Sequence, residues 1–196
     1  MEVTNKVKAF EVELSYIKDS SLVVDTKILI EGLPDYFFEV PASSTGKYHP
    51  KYALGDGGLL RHSKVVARIA RELLENPLIG NKYTAREKDL MLIACMLHDG
   101  LKSGREKSQY TKVEHPLLVA DYIEESMEEL NMTDEDIEFI CKAIRSHMGI
   151  WNKDYNGNEV LPIPASKYES FVHMCDYLAS KKFIQVEFDK NNNIVE

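Results

Sequence analysis

From residue 59 onward, apolar side chains recur every three or four positions, the period of an α-helix with one buried face. Val65, Val66, Ile69 and Leu73 share a face with His62 over 59–75, and Asn76-Pro77 ends the run. Thr84 and Glu87 have capping-box spacing ahead of a helix reaching about His98. Its Leu90, Met91, Ile93, Ala94, Cys95, Met96 and Leu97 cover most of the surface, which predicts a central, buried helix. Pro116 suits the first turn of a helix over 116–130. Thr133 and Asp136 open another, with Ile137, Ile140, Cys141, Ile144 and Met148 inward. Tyr168, Phe171, Val172, Cys175 and Ala179 mark the inner face of a helix over 166–181.

Upstream the pattern is weaker. Residues 2–18 and 20–31 read as two short helical segments, although Val23, Val24, Ile28 and Ile30 also suit a strand. Gly32-Leu33-Pro34 breaks the pattern, and 41–58, with two prolines and four glycines, reads as a loop. Asn156-Gly157 is a turn signal for the tip of a small hairpin, and FIQVEF at 183–188 alternates like a short strand. The elements add up to an all-α single domain, with room for a short β-hairpin or C-terminal strand and with no internal repeat.

Composition narrows the function classes. A chain of 196 residues with 44% hydrophobic and 29% charged residues can bury a real core and is not disordered. A net charge of −8 weighs against a broad basic surface for long nucleic acid, and favours a small anionic substrate drawn into one positive site. There is no apolar run of the ~18 residues that a membrane span requires. The N-terminal MEVTNKVKAFEVELSY is charged throughout, unlike a signal peptide, so a cytoplasmic protein with no membrane partner is expected. Cys95, Cys141 and Cys175 are far apart and sit in apolar helical contexts, as reduced core cysteines do.

Ionisable residues fall where the pattern demands apolar ones. His62 lies on the inner face of its helix, and His147 follows Ile140 and Ile144 at helical spacing. Asp176 is four past Val172, and His98-Asp99 ends the most apolar helix within MLHDGLK. His115 opens the helix that buries Val119 and Ile123. A lone histidine on an apolar face is more often a hydrogen-bonded core residue than a ligand. A buried, unpaired carboxylate costs several kcal/mol, and six such residues turned inward from five helices call for one divalent ion, or two. Imidazole with carboxylate suits Zn, Fe or Mn, and the absence of ligand-spaced cysteines argues against a structural zinc site.

The order His62 … His98-Asp99 … Asp176 resembles the HD superfamily of metal-dependent phosphohydrolases over about residues 58–181. GGLLRHSKVVA is similar to that family's first metal-binding helix, and MLHDGLK to its signature. EHPLLVADYI and AIRSHMGIW resemble the further histidine segments of two-metal branches such as the HD-GYP phosphodiesterases, and VHMCDYLAS the final aspartate. The resemblance implies an HD-type helical bundle at 58–196, with residues 1–57 as a helical extension and loop packed on it. It implies that His62, His98, Asp99 and Asp176 hold one metal, that His115 and His147 with a bridging Asp99 hold a second, and that Lys102 contacts substrate phosphate. Many relatives carry glycine directly before that lysine; here Gly100 follows Asp99 and Leu101 precedes Lys102. The implied cofactors are two divalent ions, with Fe, Mn or Mg ahead of Zn or Ni.

PASSTGKYHP before GGLLRHS resembles the segment preceding the first histidine of HD-type 3′–5′ exoribonucleases, which implies a loop overhanging the site. Ser44, Lys47 and His49 then become candidates for touching phosphate, against the alternative of a solvated loop. SSTGKY is not a Walker loop, because Pro41 and Tyr48 stand where that pattern needs glycine and Ser or Thr. Arg61 can face substrate or water, Arg145 suits a surface ion pair, and His173 lies three before Asp176. Trp151 can stack on a base or anchor packing. The glutamates of 124–129 suit a solvated helix face. The resulting expectation is a metal-dependent phosphohydrolase that attacks a nucleotide-type phosphoester with a metal-activated hydroxide, Asp99 and Lys102 being its central groups. An exonuclease acting on RNA or DNA ends, an HD-type di-iron oxygenase and an idle binding module are the alternatives.

Overall fold

In a computed structural model of the protein, residues 4–195 are described. The N-terminal third holds three helices, α1 (Asn5–Ala9), α2 (Glu11–Leu14) and α3 (Ser20–Glu31). Two 3-10 turns follow at Asp35–Phe38 and Lys51–Ala53. The segment expected as one helix over 2–18 breaks at Phe10, whose φ of −107° and ψ of 16° leave the helical region and end α1; residues 2–3 lie outside the described part. Residues 20–31 are helical rather than a strand. Asp19 caps them by accepting the Ser21 amide at 2.9 Å.

The bundle consists of α4 (Gly58–Glu75), α5 (Pro77–Gly80), α6 (Ala85–Leu97), α7 (His115–Glu125), α8 (Asp134–Arg145) and α9 (Lys167–Ala179). Caps set the register of the helices that matter most. Thr84 and Glu87 close a capping box on α6, and Thr133 and Asp136 close one on α8. Helix α6 is buried from Asp89 to Leu97 and packs against α4, α8 and α9, while α7 packs on α8. It is apolar all round because every side meets a neighbour.

Helix α7 stops at Glu125, short of the expected residue 130. There Ser126 Oγ donates to the Tyr122 carbonyl, and a 3-10 turn, Met127–Glu129, takes over. Among the described residues no strand forms; two isolated antiparallel bridges, Lys153 to Glu159 and Phe188 to Ile194, take its place. Each closes a turn in which an aspartate, Asp154 or Asp189, accepts backbone amides two and four residues on. The alternating 183–188 run has no strand to pair with. Val186 and Phe188 instead pack on the core, and Phe183 is exposed.

The extension shares one hydrophobic cluster with the bundle, through Phe10, Leu14, Leu22, Leu29, Leu33 and Phe37. It also supports the loop after α6. Tyr36 donates to the Gly104 carbonyl at 2.6 Å, and a Cβ on Gly100 would press on Leu33 at 2.7 Å. Gly100 is thus the residue that lets the chain after His98-Asp99 lie against the extension. Among the described residues, no helix is long and apolar enough to cross a membrane.

Candidate metal centre

Five helices deliver the six residues. His62 comes from the middle of α4, and His98 is the C-cap of α6, with Asp99 directly after it. His115 begins α7, Asp176 lies in α9, and His147 sits in the turn after α8. The expected helix through Met148 ends at Arg145, yet His147 stays buried.

Three of the four histidines are oriented by one device. Nδ1 of His98, His115 and His147 lies 2.8, 2.7 and 2.8 Å from the carbonyl oxygens of Cys95, Lys112 and Ile144, each three residues earlier. A proton on Nδ1 makes that bond, which turns the Nε2 lone pair inward, the arrangement a metal-binding imidazole needs.

The inward atoms converge on the two aspartates. Asp99 Oδ2 lies 3.4 Å from His98 Nε2 and 3.7 Å from His62 Nε2. Its Oδ1 lies 2.9 Å from His115 Nε2 and 3.7 Å from His147 Nε2. Asp176 Oδ1 lies 2.9 Å from His62 Nε2 and 3.6 Å from His98 Nε2. Three ligand trios have all their donor atoms within 4.8 Å of one another: His62, His98 and Asp99; Asp99, His115 and His147; and His98, His147 and Asp176.

The donor set fits divalent metal. His98 Nε2, His62 Nδ1 and Asp99 Oδ1 are buried without a hydrogen-bond partner, a costly state that a cation can relieve for the inward-facing atoms. Burial and then the neighbouring His98 and His115 push His147 down to about 3, so it is a neutral donor. Burial also depresses His98, but the nearby Asp99 and Asp176 carboxylates outweigh it and raise His98 to about 10. Burial disfavours the Asp99 charge, yet Lys102 and His98 hold its carboxyl well below the usual range. Against the same penalty, His62 and His98 hold Asp176 down. Two ionised carboxylates in so dry a place demand positive charge, which a divalent ion supplies without a titrating proton.

The surroundings sort the remaining candidates. Lys102 Nζ reaches Asp99 Oδ2 at 2.5 Å. The His49 ring meets the His62 ring edge-on with centroids 4.8 Å apart, and burial, then His62 and Lys102, push it down to about 3. The loop carrying His49 therefore does lie over this centre. Lys47 is exposed on the same loop. Arg61 donates to the carbonyls of Tyr52, Leu54 and Asp56 and to Asn192 Oδ1, which knits the loop to the C-terminal turn. Arg145 pairs with Glu124 at 2.6 Å.

His173 Nδ1 lies 2.6 Å from the His147 carbonyl, bracing the turn that carries this ligand. Gly149, at φ +60, completes the turn, and a Cβ there would overlap the His173 ring. Trp151 lies just beyond, half-exposed beside Tyr177. Sequence reasoning overlooked Tyr177 and Gly149. The signal for Tyr177 was its i, i+4 spacing from His173, next to Asp176.

An HD domain family model matches residues 59–181, more than half of the chain. Neither a search of curated proteins nor one of solved structures finds a match.

Proposed function

The chain belongs to the HD domain family, and from that premise we propose that it is a metal-dependent phosphohydrolase acting on a nucleotide-type phosphoester. The family consists mostly of metal-dependent phosphohydrolases, and the clustered histidines and aspartates could hold metal ions. The observation that carries the finer reading is the placement of Asp99 between two histidine pairs, with Lys102 against one of its oxygens.

In this reading His62, His98, Asp99 and Asp176 hold one ion, and Asp99, His115 and His147 hold a second. Bound there, divalent ions supply Lewis-acid polarisation of a phosphoryl group and a water of lowered pKa. The protein's own residues do the rest. Asp99 fixes the spacing of the two halves. Lys102, at the rim with 13% of its side chain exposed, can exchange the Asp99 contact for a phosphate oxygen. Asp176, 19% exposed against 2% or less for the other five ligands, marks the side from which substrate enters. His49 lies edge-on against the His62 ring and can donate to a phosphate oxygen. Lys47 and the rest of 41–58 form the outer wall, and Arg61 holds that wall in place.

The test is metal analysis of purified protein joined to a screen of nucleotides, cyclic dinucleotides and short oligonucleotides. Metal-dependent release of phosphate or nucleotide, abolished in His98→Ala and Asp99→Ala, is the expected result. Bound iron with oxygen consumption and no phosphoester cleavage would replace hydrolysis by the oxygenase reading. Full activity in both variants would end the enzyme reading at this site.

A further inference from the structure

Trp151 is the chain's single tryptophan, and half of it faces solvent. Its ring lies nearly parallel to that of Tyr177, at 17° with centroids 5.7 Å apart, and Tyr177 is itself 39% exposed. Lys181 Nζ lies 3.3 Å from the Tyr177 centroid and 5.9 Å from that of Trp151, so one ammonium serves both rings. His173 closes the group, 6.3 Å from Trp151 and 6.1 Å from Tyr177.

This cluster adjoins the metal centre through two covalent and one hydrogen-bonded connection. Tyr177 directly follows Asp176, the ligand most open to solvent, and His173, Asp176 and Tyr177 share a face of α9 at i, i+3 and i+4. Trp151 lies four residues past His147, on the turn that His173 holds by the His147 carbonyl. A ligand whose phosphorus reaches the metal centre past Asp176 therefore leaves the site beside these rings. Large aromatic rings are usually more fully buried, and two of them kept partly exposed with a cation suit a flat, anionic partner. On a chain with net charge −8, such a positive aromatic spot is a selective feature.

We propose that Trp151, Tyr177 and Lys181 form a subsite that stacks the unpaired base of a nucleotidyl substrate while its phosphoester lies in the metal centre. The proposal rests on the phosphohydrolase reading for the phosphate end, but its own content is the base. The half-exposed Trp151 ring supplies face contact, which tolerates any base, while Tyr177 flanks it and carries on its own face the Lys181 ammonium that supplies charge beside the sugar-phosphate. A paired base keeps its faces within its own stack, so the subsite selects a free nucleotide or a single-stranded end over a duplex.

Tryptophan emission reports the subsite directly. Metal-loaded protein is titrated with the four nucleoside monophosphates, ribose 5-phosphate, a single-stranded tetranucleotide and a blunt duplex, with calorimetry in parallel. The expected result is quenching by at least one monophosphate or by the tetranucleotide, and none by ribose 5-phosphate or duplex. Tyr177→Ala should weaken the base-bearing ligand about tenfold and leave ribose 5-phosphate unchanged, whereas Tyr177→Phe should bind as the parent does. Tighter binding of the tetranucleotide identifies a strand end as the source, and equal binding a free nucleotide; both support the subsite. Base-bearing ligands that leave the emission unchanged, or that bind no better than ribose 5-phosphate in both parent and Tyr177→Ala, overturn it. The phosphohydrolase reading fails on a different result, the absence of any phosphoester cleavage.

Discussion

Asp99 and His115 meet at 2.9 Å between Oδ1 and Nε2, on the carboxylate oxygen that Lys102 does not touch. One aspartate is thereby divided between two histidine pairs, His62 with His98 and His115 with His147. Removing Asp99 should empty both halves, whereas removing His147 should empty one. His147→Ala is therefore expected to bind one metal equivalent fewer than the parent, measured by elemental analysis, with its thermal unfolding still cooperative. Global unfolding of His147→Ala would show that this histidine is a packing residue, which its full burial also permits.

Lys102 gives a second prediction. Its ammonium reaches the Asp99 carboxylate but remains partly exposed, so it is free to serve a phosphate. A charged hydrogen bond is worth about 1.5–3 kcal/mol, or roughly 10- to 150-fold in an equilibrium. Lys102→Ala should lower kcat/KM for a phosphoester by that order while metal content stays at the parent level. Loss of metal in Lys102→Ala would assign the lysine to holding Asp99 rather than substrate.

The helices of the bundle were legible because caps and a 3.6-residue period coincide. Thr84 with Glu87 forms the predicted capping box, and Thr133 with Asp136, expected only to open its helix, forms a second. The six polar residues stood out because they occupy apolar slots, and the structure brings all of them together. Elements that depend on partners were not legible. FIQVEF alternates like a strand, but alternation creates no ladder without a neighbouring edge. The position of His49 over His62 depends on how Arg61 knits its loop, a contact set invisible in local pattern. Nothing in the pattern marks Lys64, between Ser63 and Val65 on α4, as an inner residue, yet it is fully buried against Glu13 of α2.

A pH effect on stability follows from α8. Asp136 pairs with Arg86 through Oδ2 at 2.5 Å and also caps its helix with Thr133. The Arg86 bond, opposed by burial and aided by Thr133, holds the Asp136 carboxyl below its ordinary value of 3.8. A carboxylate more acidic in the folded state stabilises it above the ordinary value, and that contribution disappears as pH falls through the depressed one. Asp136→Ala should thus cost about 1–2 kcal/mol at pH 7, or roughly 2–8 °C in Tm, as the loss of a cap does. The gap between parent and variant should narrow as melts are taken down from pH 5 toward pH 3. A gap independent of pH would mean that packing, not the charge, is what Asp136 provides.

The last prediction concerns the join between extension and bundle. Glu13 Oε2 and Lys64 Nζ lie 3.4 Å apart, both almost wholly buried, and Lys64 also donates to Asn193 Oδ1 at 3.1 Å. Burial raises the Glu13 carboxyl pKa against the pull of Lys64, and lowers that of Lys64 against the pull of Glu13. In each case desolvation is the larger effect, and burying two such charges is costly even when they are paired. Lys64→Met alone removes the nearest positive charge from a buried carboxylate and should destabilise by about 3–5 kcal/mol. Glu13→Leu combined with Lys64→Met removes both buried charges together and should restore most of the stability lost by the single variant in denaturant titrations. If the double variant is as unstable as the single one, the pair is instead a net contributor that anchors α2 to α4.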